Sequence, residues 1–219
     1  MSLSNSPKLV RGGLVILAAG GHTPRQIIAL QYNPDTLTRS YQVQGTGGDA
    51  GAERATPFRL KGPAIETLKL EAEIDATDGL EHPEQNAHTV AYGIAPQLAA
   101  LESLVNPSVA ELQALDNQAA SGTLEIVPPE APLVLFVWGR GRVVPVRVQE
   151  FSITEEAFDP ALNPLRAKVS LGLRVLSTDD LGFQARGGAL FLNHLRAREA
   201  LAAKAGSAAI GSLGLGSLP

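Results

Sequence analysis

The chain has 219 residues, of which 18% are charged, with a net charge of −4 and no cysteine. That length can bury a real core as one large or two small domains. The acidic balance argues against a nucleic-acid-binding surface, which needs clustered lysine and arginine, and the missing thiols exclude disulfides and thiolate metal sites. The low charge leaves room for broad contacts with other protein. No apolar run approaches the ~20 residues of a membrane span, and residues 1–8 lack a charged region followed by an apolar one. The expectation is a soluble chain, made and assembled in the cytoplasm, that does not insert into a membrane.

In chain order, residues 9–19 predict a first strand, a turn at Gly20-Gly21-His22-Thr23-Pro24, and a second strand over 25–32 with Ile28, Leu30 and Tyr32 on one face. Asn33-Pro34-Asp35-Thr36 is a turn by its chemistry, and an extended segment follows to residue 44. Residues 45–56 are small, polar and glycine-rich, a loop composition. Within 58–75, Leu68, Leu70, Ala72 and Ile74 alternate with Lys69, Glu71 and Glu73, one dry face and one charged face. An acidic, irregular connection over 79–90 leads to the main helix. Ile94, Leu98, Leu101 and Val105 form its apolar stripe, and Pro96 fits its first turn, so the helix is expected over 95–105. A shorter one is expected near 109–117.

Residues 133–175 carry the clearest pattern. The apolar run 133–138, the turn Gly139-Arg140-Gly141-Arg142 and a return strand over 143–154 read as a β-hairpin. In the return strand Val144, Val146 and Val148 are out of step with Phe151 and Ile153, which predicts a β-bulge near Gln149-Glu150. Arg140, Arg142 and Arg147 form the densest basic cluster, with Glu150, Glu155 and Glu156 close behind, a solvated or subunit-facing hairpin. The final strand buries Val169, Leu171, Leu173 and Val175 and wets Lys168, Ser170 and Arg174. Residues 189–204 suit an amphipathic helix, and 206–219 lack the periodicity to pack a core, so they are disordered or ordered against a partner. Residues 1–177 are therefore expected as the β domain, and 178–219 as a helical extension with a flexible tail.

No constellation carries chemistry. His82 and His88 have neither helical nor ribbon spacing for a zinc site despite Glu81 and Glu84 nearby. Glu71 and Glu73 lie on a wet strand face, and Glu155/Glu156 and Asp179/Asp180 are adjacent pairs of the solvated kind rather than carboxylates across a cleft. Gly45-Thr46-Gly47-Gly48 does not join a strand to a helix as a phosphate cradle would. No catalytic, cofactor or metal residue is assigned, and an enzyme is not expected.

Three stretches resemble the tube-adaptor proteins of contractile injection systems, phage-tail-like particles in which the adaptor joins the inner tube to the spike. They are Leu30-Gln31-Tyr32-Asn33-Pro34-Asp35-Thr36-Leu37, then Gly93-Ile94-Ala95-Pro96-Gln97-Leu98-Ala99-Ala100-Leu101-Glu102, and residues 133–176 with Phe136-Val137-Trp138-Gly139 and Phe151-Ser152-Ile153-Thr154-Glu155-Glu156-Ala157-Phe158. The resemblance implies a mainly β, α+β fold: an antiparallel β-barrel or sandwich of the phage-tail tube type with one flanking helix. It implies a hexameric ring at the baseplate whose partners are other copies of itself, the spike, the inner tube and neighbouring baseplate proteins. The peptidoglycan-binding LysM module that some relatives carry is not expected in residues 178–219. Candidate inter-subunit contacts are Trp138, Arg140 and Arg142 in the hairpin turn, and Asp159, Pro160, Asn163 and Pro164 in a proline-stiffened loop suited to stacking. The alternatives are an inner-tube subunit of the same particle and a small-ligand-binding β-barrel.

Overall fold

The computed structural model describes residues 10–18, 23–45, 60–120, 131–206 and 212. Within them, seven strands form one antiparallel sheet: β1 (Gly13–Leu17), β2 (Pro24–Ala29), β3 (Leu37–Gln42), β4 (Ile65–Asp75), β5 (Val134–Val137), β6 (Val143–Phe158) and β7 (Pro164–Val175). Their spatial order is β2-β1-β5-β6-β7-β4-β3. The helices are α1 (Thr77–Leu80), α2 (Ala87–Tyr92), α3 (Ala95–Glu102), α4 (Val109–Ala120), α5 (Thr178–Leu181) and α6 (Arg186–Ala202).

Period-two alternation builds the centre. Leu68, Leu70, Ala72 and Ile74 of β4 and Val169, Leu171, Leu173 and Val175 of β7 are all buried, and they pair face to face, Leu70 opposite Leu171 and Ala72 opposite Val169. The opposite face of the same strands is polar, with Lys69–Glu150, Arg166–Asp75 and Lys168–Glu156 ion pairs at 2.7, 2.8 and 3.4 Å. On β6 the phase change is resolved as its sequence demands. Val148 pairs with Leu173 and Glu150 with Gly172, so Gln149 is the extra residue of a bulge that returns Phe151 and Ile153 to the core side.

The sheet does not close into a barrel. Among the described residues β2 pairs only with β1 and β3 only with β4, leaving both as edges. The sheet is nevertheless strongly coiled. Gln31, two residues beyond β2, reaches Asp75 at the end of β4, which lies five strands away in the sheet order. Gln31 stitches the gap: its Nε2 donates to the Asp75 carbonyl and its Oε1 accepts from the Asp75 N–H, both at 2.9 Å. These two bonds, rather than a strand pairing, bridge the end of β2 to the end of β4.

Helix α3 plugs the coil. Ile94, Leu98 and Leu101 are buried in the core, and Pro96 sits in the first turn, where its missing N–H costs nothing. The helix is shorter than its stripe predicts. Leu104 and Val105 donate to Leu101 and Glu102 in tightened i→i−3 bonds, and Val105 is exposed. The 79–90 connection is also more regular than expected, holding the end of α1 and the start of α2; neither helix buries a residue, so no apolar stripe announces them. Tyr32 lies beyond β2, exposed, its hydroxyl on Asp78 at 3.1 Å. Helix α6 packs against β6 and sends Phe191 and Leu195 into the core. The expected 19–22 and 46–56 loops and the 207–211 and 213–219 tail segments lie outside the described residues.

Candidate assembly surfaces

The two ends of β6 hold the residues singled out from the sequence. At its start, Trp138 donates its backbone N–H to the Arg142 carbonyl at 2.8 Å and closes the β5–β6 turn. Its indole is half-buried, stacked on Phe136 with ring centroids 5.8 Å apart, so much of it belongs to the core. Arg140 is exposed at the turn.

Arg142 is half-buried beside a cluster that the sequence reading did not assemble. Glu66, only 6% exposed, occupies the apolar phase of β4. Its carboxylate accepts the Tyr41 hydroxyl at 2.6 Å and ion-pairs with Arg39 at 3.2 Å and Arg198 at 3.5 Å. Arg39 and Arg198 both donate to the Tyr41 oxygen, and each guanidinium carbon lies 5.3 Å from the centre of its ring. Burial and the nearby Arg39 depress the Arg142 pKa, while Glu66 and Tyr41 pull the other way. His194 of α6 is buried here with Nδ1 unpartnered, and burial lowers its pKa from 6.5. Its charged surroundings are Glu66 on β4, Arg39 on β3, Arg142 at the turn and Arg198 on its own helix. The sequence signal was Glu66 itself, a carboxylate in step with Leu68 and Leu70.

At the other end, the loop between β6 and β7 is organised by one carboxylate. Asp159 accepts from the N–H groups of Ala161 and Asn163 at 2.8 Å and from Asn163 Nδ2 at 2.7 Å. Those bonds, the Asn163 side chain first, hold its pKa below the ordinary 3.8. Pro160 is exposed, whereas Pro164 is buried and opens β7. The loop is tied back to the helical layer: Asn163 Nδ2 donates to the Ala91 carbonyl at 3.3 Å, and Ile94 N–H to the Pro164 carbonyl at 2.9 Å. Gly93 makes that junction possible. It sits at φ +57°, ψ −130°, and a Cβ there would lie 2.1 Å from the Pro164 oxygen. Around the loop, Leu162, 78% exposed, shares the surface with Phe158, Val90 and Tyr92. Sequence reading took the prolines and missed this apolar tip.

His82 and His88 are both exposed, and among the described residues no group of three or more His, Asp or Glu is arranged to hold a metal. A cavity of about 450 Å³ lies where the barrel would have closed, between β2, the end of β4 and α3. A second, of about 470 Å³, lies between β2 and the α3–α4 junction. In the second, Ser108 Oγ donates to the Glu111 carboxylate at 2.7 Å, and the Glu111 N–H donates back to Ser108 Oγ at the start of α4.

The described residues thus form an open antiparallel sheet with a plug helix and two free edges. The family profile described as contractile injection system tube protein matches residues 18–183, and the chain belongs to that family. No curated protein matches it by sequence. Membership gives the chain a structural role in a contractile injection system, assembled with copies of itself and other particle components. Among the described residues no helix is long and apolar enough to cross a membrane.

The three resembling stretches now have physical reasons. Leu30 is buried, Gln31 stitches the seam, and Asn33 accepts from Gly12 N–H at 2.8 Å and donates to the Val10 carbonyl at 2.9 Å, holding the start of β1. Gly93-Ile94-Ala95-Pro96 is the junction that seats α3. The third stretch is the β5–β6–β7 meander.

Proposed function

We propose that this chain is the ring-forming adaptor that joins the spike to the inner tube at the baseplate, with six copies to the ring. The observation that carries the reading is the helical segment added to a tube-type sheet. The family match ends at residue 183, while α6 continues to Ala202 and is fixed to the sheet through Phe191, Leu195 and the Arg198–Glu66 pair. A subunit repeated along a uniform tube has less use for such an addition than one that meets unlike neighbours above and below.

In this reading the free edges β2 and β3 join subunits laterally by strand pairing, which turns an aggregation hazard into a joint. The charge-paired face of β4, β6 and β7 lines the channel. The Asp159–Pro164 loop with Leu162, Phe158 and Tyr92 stacks axially. Function comes from geometry, and no side chain performs chemistry. Replacing His82 and His88 together by alanine therefore leaves particle assembly intact, and stoichiometric metal lost in that variant would contradict this.

Deleting the gene in the producing strain tests the role. Sheath and tube subunits should still be made yet remain largely unassembled, as seen by electron microscopy of particle preparations. Full-length, spike-bearing particles from the deletion strain would overturn the adaptor reading. Spike-bearing baseplates that carry no tube would favour the inner-tube subunit.

A further inference from the structure

Charge along this chain is segregated, and the fold turns that segregation into two separate surfaces. Between Lys69 and Arg140 the sequence contains no lysine or arginine. The segment from α1 to α4 exposes Glu81 and Glu84 between α1 and α2, Glu102 on α3 and Asp116 on α4. Glu102 and Glu111 line the cavity against Arg25 and Gln26 of β2, so the acidic helices flank the β2 edge. Arg25 and Arg11 are cations on that side, and Glu111 faces Arg25.

The other edge has the opposite character. Arg39 on β3, Arg198 on α6 and Arg142 at the β5–β6 turn converge on Tyr41 with a single carboxylate, Glu66, among them. Glu66 neutralises one of three permanent cations. Among the described residues Arg142 has no carboxylate within ion-pairing distance, and Arg39 and Arg198 keep 28% and 36% of their side chains exposed. Partly desolvated guanidinium groups held in place by a buried partner are prepared for a further carboxylate, because their orientation is fixed before it arrives.

We infer that the Arg39–Arg142–Arg198 cluster beside the β3 edge is the receptor for the exposed carboxylates of the α1–α4 segment flanking the β2 edge of an adjacent copy of this chain. The contact is heterologous: the basic edge of one copy meets the acidic edge of the next, each copy keeps one free edge of either sign, and the series closes as a ring. Like edges repel, which excludes the two-fold dimer that two free strands could otherwise form. This inference rests on the reading of the chain as ring-forming and names the side chains that set the direction of the ring.

The test uses two full-length variants and sedimentation velocity at low salt. Arg142→Glu removes the receptor and leaves the acidic segment. A second variant with Glu81, Glu84, Glu102 and Asp116 changed to lysine removes the donor and leaves the receptor. Wild type should associate with increasing concentration, at least tenfold more weakly in 0.5 M salt than in 0.05 M. Each variant alone should be monomeric, and an equimolar mixture should form a one-to-one complex and stop there. Lys204→Glu, exposed just beyond α6 and outside the cluster, should behave as wild type. Circular dichroism checks the fold, and Arg142→Gln replaces Arg142→Glu if the latter does not fold. The inference is overturned by a monomeric wild type, by unimpaired association of either variant, or by a mixture of folded variants that forms no complex. These outcomes leave the adaptor role to the gene deletion. Absent particles on deletion together with normal assembly of Arg142→Glu would sink the receptor and keep the adaptor.

Discussion

At the end of β6, Leu162, Phe158, Val90 and Tyr92 present apolar surface around a loop held by the Asp159 carboxylate. At its beginning, three arginines, a tyrosine and a histidine surround one buried glutamate. Apolar surface gives adhesion roughly in proportion to area and with little preference for orientation. A desolvated charge cluster gives little net adhesion, since desolvation offsets Coulomb attraction, but it strongly rejects the wrong partner. One strand thus joins an end suited to holding a neighbour with an end suited to choosing one.

The largest expected effect strikes both ends through the strand beside them. Leu171 is buried at the centre of β7, between β4 and β6. Leu171→Asp places an unpaired carboxylate there and should cost about 4 kcal/mol or more, enough to unfold the domain in a urea titration. A variant that kept wild-type stability would show that the assigned dry face is wrong.

Next in size is a change confined to the apolar end. Gly93→Ala forces a side chain into a backbone conformation that L-residues avoid and against the Pro164 carbonyl. The expected loss is roughly 2–3 kcal/mol, with α3 loosened from the loop and the arginine cluster untouched. Hydrogen exchange at Ile94, whose N–H donates to Pro164, would report it directly. Exchange increased equally around Tyr41 and Glu66 would mean that the two ends are one cooperative unit.

How much of this was legible beforehand depended on distance along the chain. The alternation of β4 and β7, the Gln149 bulge and the seat of Pro96 are local patterns, and each is where its residues place it. The cluster is not local. Tyr41 and Glu66 are 25 residues apart and Arg198 is 132 residues from Glu66, so nothing short of the fold brings them together. The seam of the open sheet is of the same kind, since Gln31 and Asp75 meet across it from 44 residues apart. Helices α1 and α2 left no trace because they bury nothing. Of the proposed contacts, Trp138 proved half core and Pro164 buried, because periodicity locates a residue on a strand but not the neighbour that covers it.

Acid separates the two ends. Burial lowers the His194 pKa below 6.5, so between its folded and unfolded values the unfolded chain binds more protons. Stability is therefore full above about pH 6.5 and declines as pH falls through that window. Asp159, whose pKa is also lowered, contributes above 3.8 and loses that contribution only as pH falls below it. Melting temperature should drop between pH 7 and pH 5, with α6 loosening first, and His194→Gln should flatten that drop. An unchanged slope in His194→Gln would remove histidine from the account of the charged end.

The smallest expected effect lies between the ends, on the charged face of β7. Lys168 is partly exposed and its Nζ is 3.4 Å from Glu156, also partly exposed. Such a pair gains little Coulomb energy in water and has to order two long side chains, so Lys168→Ala should change the stability of the isolated chain by less than about 0.5 kcal/mol. Lys168 is only three residues from Leu171, yet their replacements should differ by roughly an order of magnitude in cost. That contrast is a direct measurement of which way the strand faces. The same variant also reads the channel assignment: a pair shielded within a ring has less water to screen it than a pair on a free chain. Lys168→Ala should therefore be silent in a melt of the isolated protein but lower the salt tolerance of purified particles. Equal salt tolerance in wild-type and variant particles would take this face out of the channel and leave it as ordinary surface.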